Sequence, residues 1–217
     1  MISRRQFCKA TGAGAIAACL PQSSFATDQS IKIFGIGGAG GNALDYMIQE
    51  KVTGVQFICV NTDAEALKRS SAPIKLQLGS GSGVSGNPKT AYELALTQRD
   101  RFAEVLDGSQ LAFITAGLGG GTGSGVAPVL AGVARKMGIP TVAVVTSPFE
   151  FEGRRHQVAK RWLQELGLHA DSLIVRSNEK LLETMGEDIS LADAFRYIDN
   201  EIMAAIECVI NRCGELM

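Results

Sequence analysis

Ala116-Gly117-Leu118-Gly119-Gly120-Gly121-Thr122-Gly123-Ser124-Gly125 is the stretch on which the reading of this chain turns. Six of its ten residues are glycine, and ordering such a segment gives up much backbone entropy. It follows an apolar run, Leu111-Ala112-Phe113-Ile114-Thr115, that has the pattern of a buried strand, and it precedes a helical pattern over residues 126–136. A tight strand-to-helix turn needs one or two glycines, so the excess asks for a group that must approach the main chain closely. A strand, a glycine loop and a helix N-terminus together aim several backbone N–H groups and a partial positive charge at one point. That arrangement suits a phosphate.

A second glycine loop, Gly35-Ile36-Gly37-Gly38-Ala39-Gly40-Gly41-Asn42, follows the first strand pattern. It fits G-x-G-x-x-G at Gly35, Gly37 and Gly40, and Asp63 stands 23 residues past Gly40, about where a ribose-binding acid belongs in a dinucleotide fold. An NAD-binding reading therefore stands beside the phosphate one. The richer cradle at 116–125 weighs against it, since a dinucleotide fold has no use for a second one there, and no constellation for hydride transfer is visible. A third segment, Gly83-Val84-Ser85-Gly86-Asn87-Pro88-Lys89-Thr90, has the spacing of a P-loop but places Pro88 where the second glycine belongs. Proline offers no N–H to a phosphate, so this is not a P-loop.

Short apolar runs alternate with helical patterns along the chain. Strands are expected over residues 31–36, 55–60, 111–115, 141–146 and 172–175, and helices over 42–51, 88–106, 125–137, 155–166 and 191–213. The expected fold is α/β, a Rossmann-like parallel sheet with helices on both faces. Gly79-Ser80-Gly81-Ser82-Gly83-Val84-Ser85-Gly86-Asn87 is the one low-complexity piece and reads as a mobile loop; there is no internal repeat. In the last helix Leu191, Phe195, Ile198, Ile202, Ala205, Ile206, Val209, Ile210 and Cys213 form one apolar stripe, with Ser190 as its cap and Asp193 in the first turn.

Gly119 to Gly125, Gly-Gly-Gly-Thr-Gly-Ser-Gly, resembles the signature of the tubulin and FtsZ family of GTP-binding, polymer-forming proteins, and the resemblance continues in the family's order from about residue 31 to 217. It implies that Gly37, Gly38, Ala39, Gly40, Gly41 and Asn42 wrap one triphosphate together with Gly119, Gly120, Gly121, Thr122, Gly123 and Ser124. Asn61 and Asp63, in Val60-Asn61-Thr62-Asp63, would then lie by the phosphates and their Mg2+. Gly86-Asn87-Pro88 matches the end of the family's loop beside the γ-phosphate, with a shorter run before it.

Pro148-Phe149-Glu150-Phe151-Glu152-Gly153 resembles the segment in which the glutamate, here Glu152, accepts from ribose hydroxyls. The family has an arginine four residues later; His156 stands there, with Arg155 beside it as the available cation. Asn178 matches a guanine-contacting asparagine, and Phe195 either stacks on the purine or packs in the core. Asp199 carries the specificity, because a carboxylate accepts from guanine N1–H and N2–H₂ together and adenine presents no such pair.

The overall composition sets the remaining bounds. With 217 residues the chain suits one medium domain, and 21 basic against 22 acidic residues argue against a nucleic-acid surface. No apolar run reaches the roughly 18 residues that span a bilayer. Of five cysteines, Cys8 and Cys19 fall near the N-terminus, and Cys59, Cys208 and Cys213 read as buried thiols rather than a framework. Ser3-Arg4-Arg5-Gln6-Phe7-Cys8-Lys9 resembles a twin-arginine export signal, with Ser24-Phe25-Ala26 as a cleavage site and no acid before Asp28. Residues 1–26 are thus expected to be a signal peptide, which places the protein in the periplasm; Ile16-Ala17-Ala18-Cys19 as a lipoprotein box, or a disordered tail on a cytoplasmic protein, are the alternatives. Taking Arg4, Arg5 and Lys9 from the 21 basic residues leaves 18 against 22 acidic, a net charge of −4.

The resemblance also implies a hydrolytic loop after the central helix that completes the neighbouring subunit's site, and a second domain. The sequence stops at Met217, where that loop would begin, so residues 27–217 are expected to form a GTP- or GDP-binding half-site with no catalytic residue of its own. Its partner would be a complete FtsZ-like protein or another copy of itself. Two functions follow: a GTPase-family enzyme that borrows the missing loop, or a GTP-binding interaction module that caps a filament. A decayed or split gene is a third reading.

Overall fold

The computed structural model describes residues 30–179 and 190–215; the expected leader at 1–26, with Cys8 and Cys19, and Met217 lie outside them, as does the Cys213 side chain. The described chain runs β1 (Ile31–Ile36), α1 (Gly37–Gln49), β2 (Gln56–Asn61), α2 (Ala64–Arg69), β3 (Ile74–Gln77), α3 (Pro88–Thr97), α4 (Arg99–Leu106), β4 (Leu111–Gly117), α5 (Gly121–Lys136), β5 (Thr141–Ser147), a 3-10 turn (Glu150–Glu152), α6 (Arg154–Gly167), β6 (Ser172–Ser177) and α7 (Leu191–Glu215). The six strands form one sheet in the order β3-β2-β1-β4-β5-β6, every adjacent pair parallel. This is the expected α/β fold.

Alternation along the strands sorts the core into two layers. Phe34, Ile36, Ile58, Ile114 and Val145 point to one face, where α3, α4, α5 and α6 cover them through Ala91, Phe102, Val126, Leu130 and Leu166. Ile33, Phe57, Phe113 and Val144 point to the other, where α1, α2 and α7 cover them through Leu44, Met47, Leu67, Ile202 and Ile206. Both faces of a parallel sheet must be covered, which is why its strands read as continuous apolar runs. Cys59 is buried in the second layer as expected, but Cys208, a member of neither layer, is exposed on α7.

Three local differences from the sequence reading have physical causes. The single helix expected over 88–106 breaks at Gln98 (φ −110°, ψ 17°), and the bend turns Phe102 and Leu106 inward to full burial. β3 and α2 are four and six residues long, too short to show a period, and neither was expected. Helices α1 and α5 begin at Gly37 and Gly121, inside their glycine runs, where propensity argues against a helix. The Gly79–Asn87 loop is tied to its surroundings at several points: Gly83 N donates to Thr62 O, Ala64 N to Gly81 O, and Asn87 N to Val84 O, with Val84 itself buried. Asn87 then caps α3, its Oδ1 accepting from Lys89 and Thr90, ahead of Pro88 in the first turn.

At the end of the sheet away from the glycine loops, Lys32 is a buried cation that the sequence does not advertise. Its Nζ donates to Val105 O at 2.8 Å and Asp107 O at 2.6 Å, closing the C-terminal end of α4. Burial pulls its pKa below the usual lysine value, partly opposed by the Asp107 carboxylate.

Candidate functional site

The strand order reverses between β1 and β4. From β1 the chain moves to β2 on one side, and from β4 to β5 on the other, so the two following loops part and leave a crevice at the carboxyl ends of these strands. In open α/β sheets that switch point is where ligands bind. Here it is a cleft of about 480 Å³, walled by the first turns of α1 and α5, the ends of β4 and β5, the 3-10 turn, Asn178 and the first turns of α7.

One end of the cleft is built for negative charge. Helices α1 and α5 both start there, neither has a side chain bonded to its first-turn N–H groups, and neither has an acid in that turn. Two sets of free donors and two positive helix ends therefore converge. The glycines divide by what an added Cβ would meet. At Gly40 it would lie 2.4 Å from Thr115 O, at Gly123 2.5 Å from Gly117 O, and at Gly121 2.9 Å from Asn87 N, so these residues let backbones pack against backbones. At Gly38 and Gly120, both in the cleft wall, it would meet nothing within 4 Å. No neighbouring protein atom accounts for glycine at these two positions, and a ligand in the cleft would.

The opposite end carries groups suited to a base and a sugar. Asp199 is partly buried in the wall, and desolvation pushes its pKa up to about 6. Among the described residues, Asn178, 8 % exposed, has no partner for Oδ1, and Thr115, fully buried at the cleft floor, has none for its hydroxyl. Buried polar atoms without partners are uncommon, and two in one cleft point to a polar ligand. Phe195 is 49 % exposed and lines the cleft, so it is not a core residue despite its place in the apolar stripe. Glu152 accepts from Phe149 N at 3.1 Å and from Arg155 Nη1 at 2.8 Å. Beside it Phe149 and Phe151 stack, their ring centroids 5.1 Å apart.

Of the residues singled out in the sequence, the structure brings Gly38, Ala39, Asn42, Gly120, Gly121, Thr122, Gly123, Glu152, Arg155, Asn178, Phe195 and Asp199 together around the cleft. The others lie behind its wall with other work. Gly37, at φ 72°, abuts Gly123 and Thr122, and Gly41 faces Cys59. Gly119, at φ 97°, donates its N–H to Ser124 Oγ at 2.9 Å, and Ser124 is fully buried. Asn61 Oδ1 accepts from Thr62 N and Asp63 N, while Asp63 Oδ1 caps α2 by accepting from Glu65 N and Ala66 N. His156 stands outside the wall, its buried Nδ1 without a partner among the described residues, whereas Arg155 stands in it. Among the described residues no group of three or more His, Cys, Asp or Glu could hold a metal ion.

Sequence reasoning missed Thr115, Thr146, Pro148, Ile198 and Ile202, which also line the cleft. Their common signal is position: each ends or follows a strand at the switch point, or lies on the α7 face beside Asp199.

Comparison with known proteins agrees with this geometry. The model of the tubulin/FtsZ family GTPase domain matches residues 30–186. The cell division protein FtsZ of Azotobacter vinelandii is 50% identical over 192 residues, 86% of this chain and 48% of that protein. FtsZ of Pseudomonas putida is 50% identical over 181 residues, 81% of this chain and 46% of that protein. Among solved structures, an empty FtsZ dimer from M. jannaschii superposes with a TM-score of 0.77 at 40% identity, covering 82% of this chain and 53% of that one. The chain thus spans about half the length of the curated relatives it matches.

Proposed function

The chain belongs to the tubulin/FtsZ family through its GTPase domain, and from that premise we propose that it binds GTP and GDP in the switch-point cleft. The observation that carries this reading is the polarity of the cleft: free helix N-termini at one end, hydrogen-bond acceptors at the other. Phosphates take the N–H groups of α1 and α5, approach past Gly38 and Gly120, and accept from the Thr122 hydroxyl. Magnesium accompanies the triphosphate, held by phosphate oxygens rather than by a protein cage. Ribose hydroxyls meet Glu152, whose carboxylate Arg155 and Phe149 N already orient. The purine lies against Phe195. Asp199 accepts from guanine N1–H and N2–H₂, and the free Asn178 Oδ1 takes a further donor. Adenine offers no donor pair to Asp199, so guanine is selected.

Turnover asks for more than these residues. The carboxylates in the described wall are Glu152, already bonded, and Asp199, at the base end, so neither orients a water at the terminal phosphate. Hydrolysis draws on a water-orienting group from another segment or another subunit. The chain then acts within an assembly of FtsZ type, either as a contributing GTPase domain or as a module that docks on a filament end.

Mixing the 217-residue chain with a full-length FtsZ and measuring phosphate release tests this. Alone, the chain is expected to turn over GTP about 10²–10⁴-fold more slowly than the full-length protein, the usual loss when a catalytic positioning group is missing. Stimulation in the mixture supports the contributing-domain reading and inhibition supports docking. Turnover by the chain alone at the rate of the full-length protein contradicts both.

A further inference from the structure

Thr62 lies behind the cleft wall, yet its hydroxyl is bonded to a hydroxyl in that wall. It follows β2, is 2 % exposed, and places Oγ1 2.7 Å from Oγ1 of Thr122, which lines the cleft. Its backbone is held on both sides: its N–H donates to Asn61 Oδ1 at 2.8 Å and its carbonyl accepts from Gly83 N at 2.9 Å. The residue is thus fixed in place, and among the described residues its hydroxyl has no partner besides Thr122.

A threonine hydroxyl has one proton to donate and lone pairs to accept with. Only one of the two protons can lie between Thr62 and Thr122. If Thr122 supplied it, Thr122 would present only lone pairs to the cleft and would repel an anion. If Thr62 supplies it, the Thr122 proton is free to point into the cleft, and accepting a bond strengthens it as a donor. The second arrangement matches the two positive helix ends that converge on the same place.

We propose that Thr62 is a positioning residue for phosphate binding: by donating its hydroxyl proton to Thr122 it makes the Thr122 hydroxyl an oriented donor to the ligand's phosphate. This rests on the guanine-nucleotide reading of the cleft. The sequence holds no signal for it, because the pair meets only when the end of β2 and the start of α5 are brought together across the sheet.

The test is a double-mutant cycle on the 217-residue chain, with fluorescent-labelled GDP and Mg2+ as the probe and guanosine, which has no phosphate, as the control. T62V is expected to weaken GDP binding about 5–10-fold, the upper range of one ordinary net hydrogen bond. Guanosine binding should stay within about twofold, and T62S should restore GDP binding because it keeps the hydroxyl. T122V should weaken GDP binding comparably, and T62V/T122V should be no weaker than T122V alone, since Thr62 acts only through Thr122. Wild-type GDP affinity in T62V, equal losses for GDP and guanosine, failure of T62S to rescue, or additive losses in the double variant would each overturn the proposal. A wild-type chain that binds neither GDP nor guanosine would instead remove the guanine reading beneath it, a result distinct from all of these.

Discussion

Asp199 sits where water is scarce, and that desolvation keeps its carboxyl protonated up to about pH 6. Ionised, that carboxylate is the double acceptor the proposed guanine contact requires. The sign follows directly. The folded pKa is raised above the ordinary 3.8, so a folded protein without ligand binds more protons than the unfolded chain between about pH 4 and 6, and Asp199 disfavours the fold increasingly as pH rises through that window. On the proposed guanine contact, the ligand takes the carboxylate, so binding is expected to release a proton and to strengthen with pH. The account predicts that GDP affinity falls roughly tenfold from pH 7 to pH 5, with the same slope absent from D199N; that difference separates Asp199 from titration of the phosphates. D199A should weaken GDP at pH 7 by about 10–100-fold, as loss of a charged hydrogen bond implies. Equal pH slopes for wild type and D199N by titration calorimetry would place the guanine contact elsewhere. The sequence, through its family resemblance, marks Asp199 as a candidate. It does not carry the desolvation, which depends on walls contributed by β4, β5 and α7. Phe195 shows the same limit: period alone leaves stacking and core packing equal, and only its exposure in the cleft separates them.

Helices α1 and α5 both bring free N-termini to the switch point, and their glycines do two different jobs. Gly40, Gly121 and Gly123 let backbones touch, which explains why helices start inside runs that look too glycine-rich to be helical. Gly38 and Gly120 keep the cleft open. Substitution distinguishes the two classes. G40A forces a Cβ against the Thr115 carbonyl and is expected to destabilise the fold by more than about 2 kcal/mol, a large fraction of the stability of a domain this size. G38A and G120A should leave the unfolding midpoint nearly unchanged while weakening GDP at least about tenfold, because the added methyl crowds the ligand alone. A G120A variant that binds GDP normally would mean the open space beside Gly120 is not where phosphate lies. The density of glycine in the sequence locates both loops, but it does not tell these two kinds apart, since the contacts that demand glycine come from Thr115, Gly117 and Asn87 on other elements. The break at Gln98 is hidden for the same reason: it serves the burial of Phe102 and Leu106 under the sheet, not a local preference.

Across the whole molecule, the strand order makes the site. Parallel strands with helices on two faces were legible from alternating apolar runs, and the two cores fill as the pleat requires. What the sequence does not display is the short edge, β3 with α2, or the fact that Asn61 and Asp63 spend their side chains on backbone N–H groups rather than on the cleft. The edge depends on β3 pairing with β2 and on the loop after β2 meeting the Gly79–Asn87 stretch, whereas the Asn61 and Asp63 bonds are local, to N–H groups one to three residues on, and compete with the role the resemblance implies. The resemblance and the family match agree on the GTPase domain, and the chain spans about half the length of its curated relatives, so nucleotide recognition is the property these residues answer for most directly. Isothermal titration of the 217-residue chain with GDP, ADP and NAD, each with Mg2+ at pH 7.5, measures it. The account predicts a single site for GDP at least about 100-fold tighter than for ADP, corresponding to roughly 2.7 kcal/mol from the Asp199 and Asn178 contacts, and no NAD binding at comparable concentration. ADP or NAD binding as tight as GDP would contradict it.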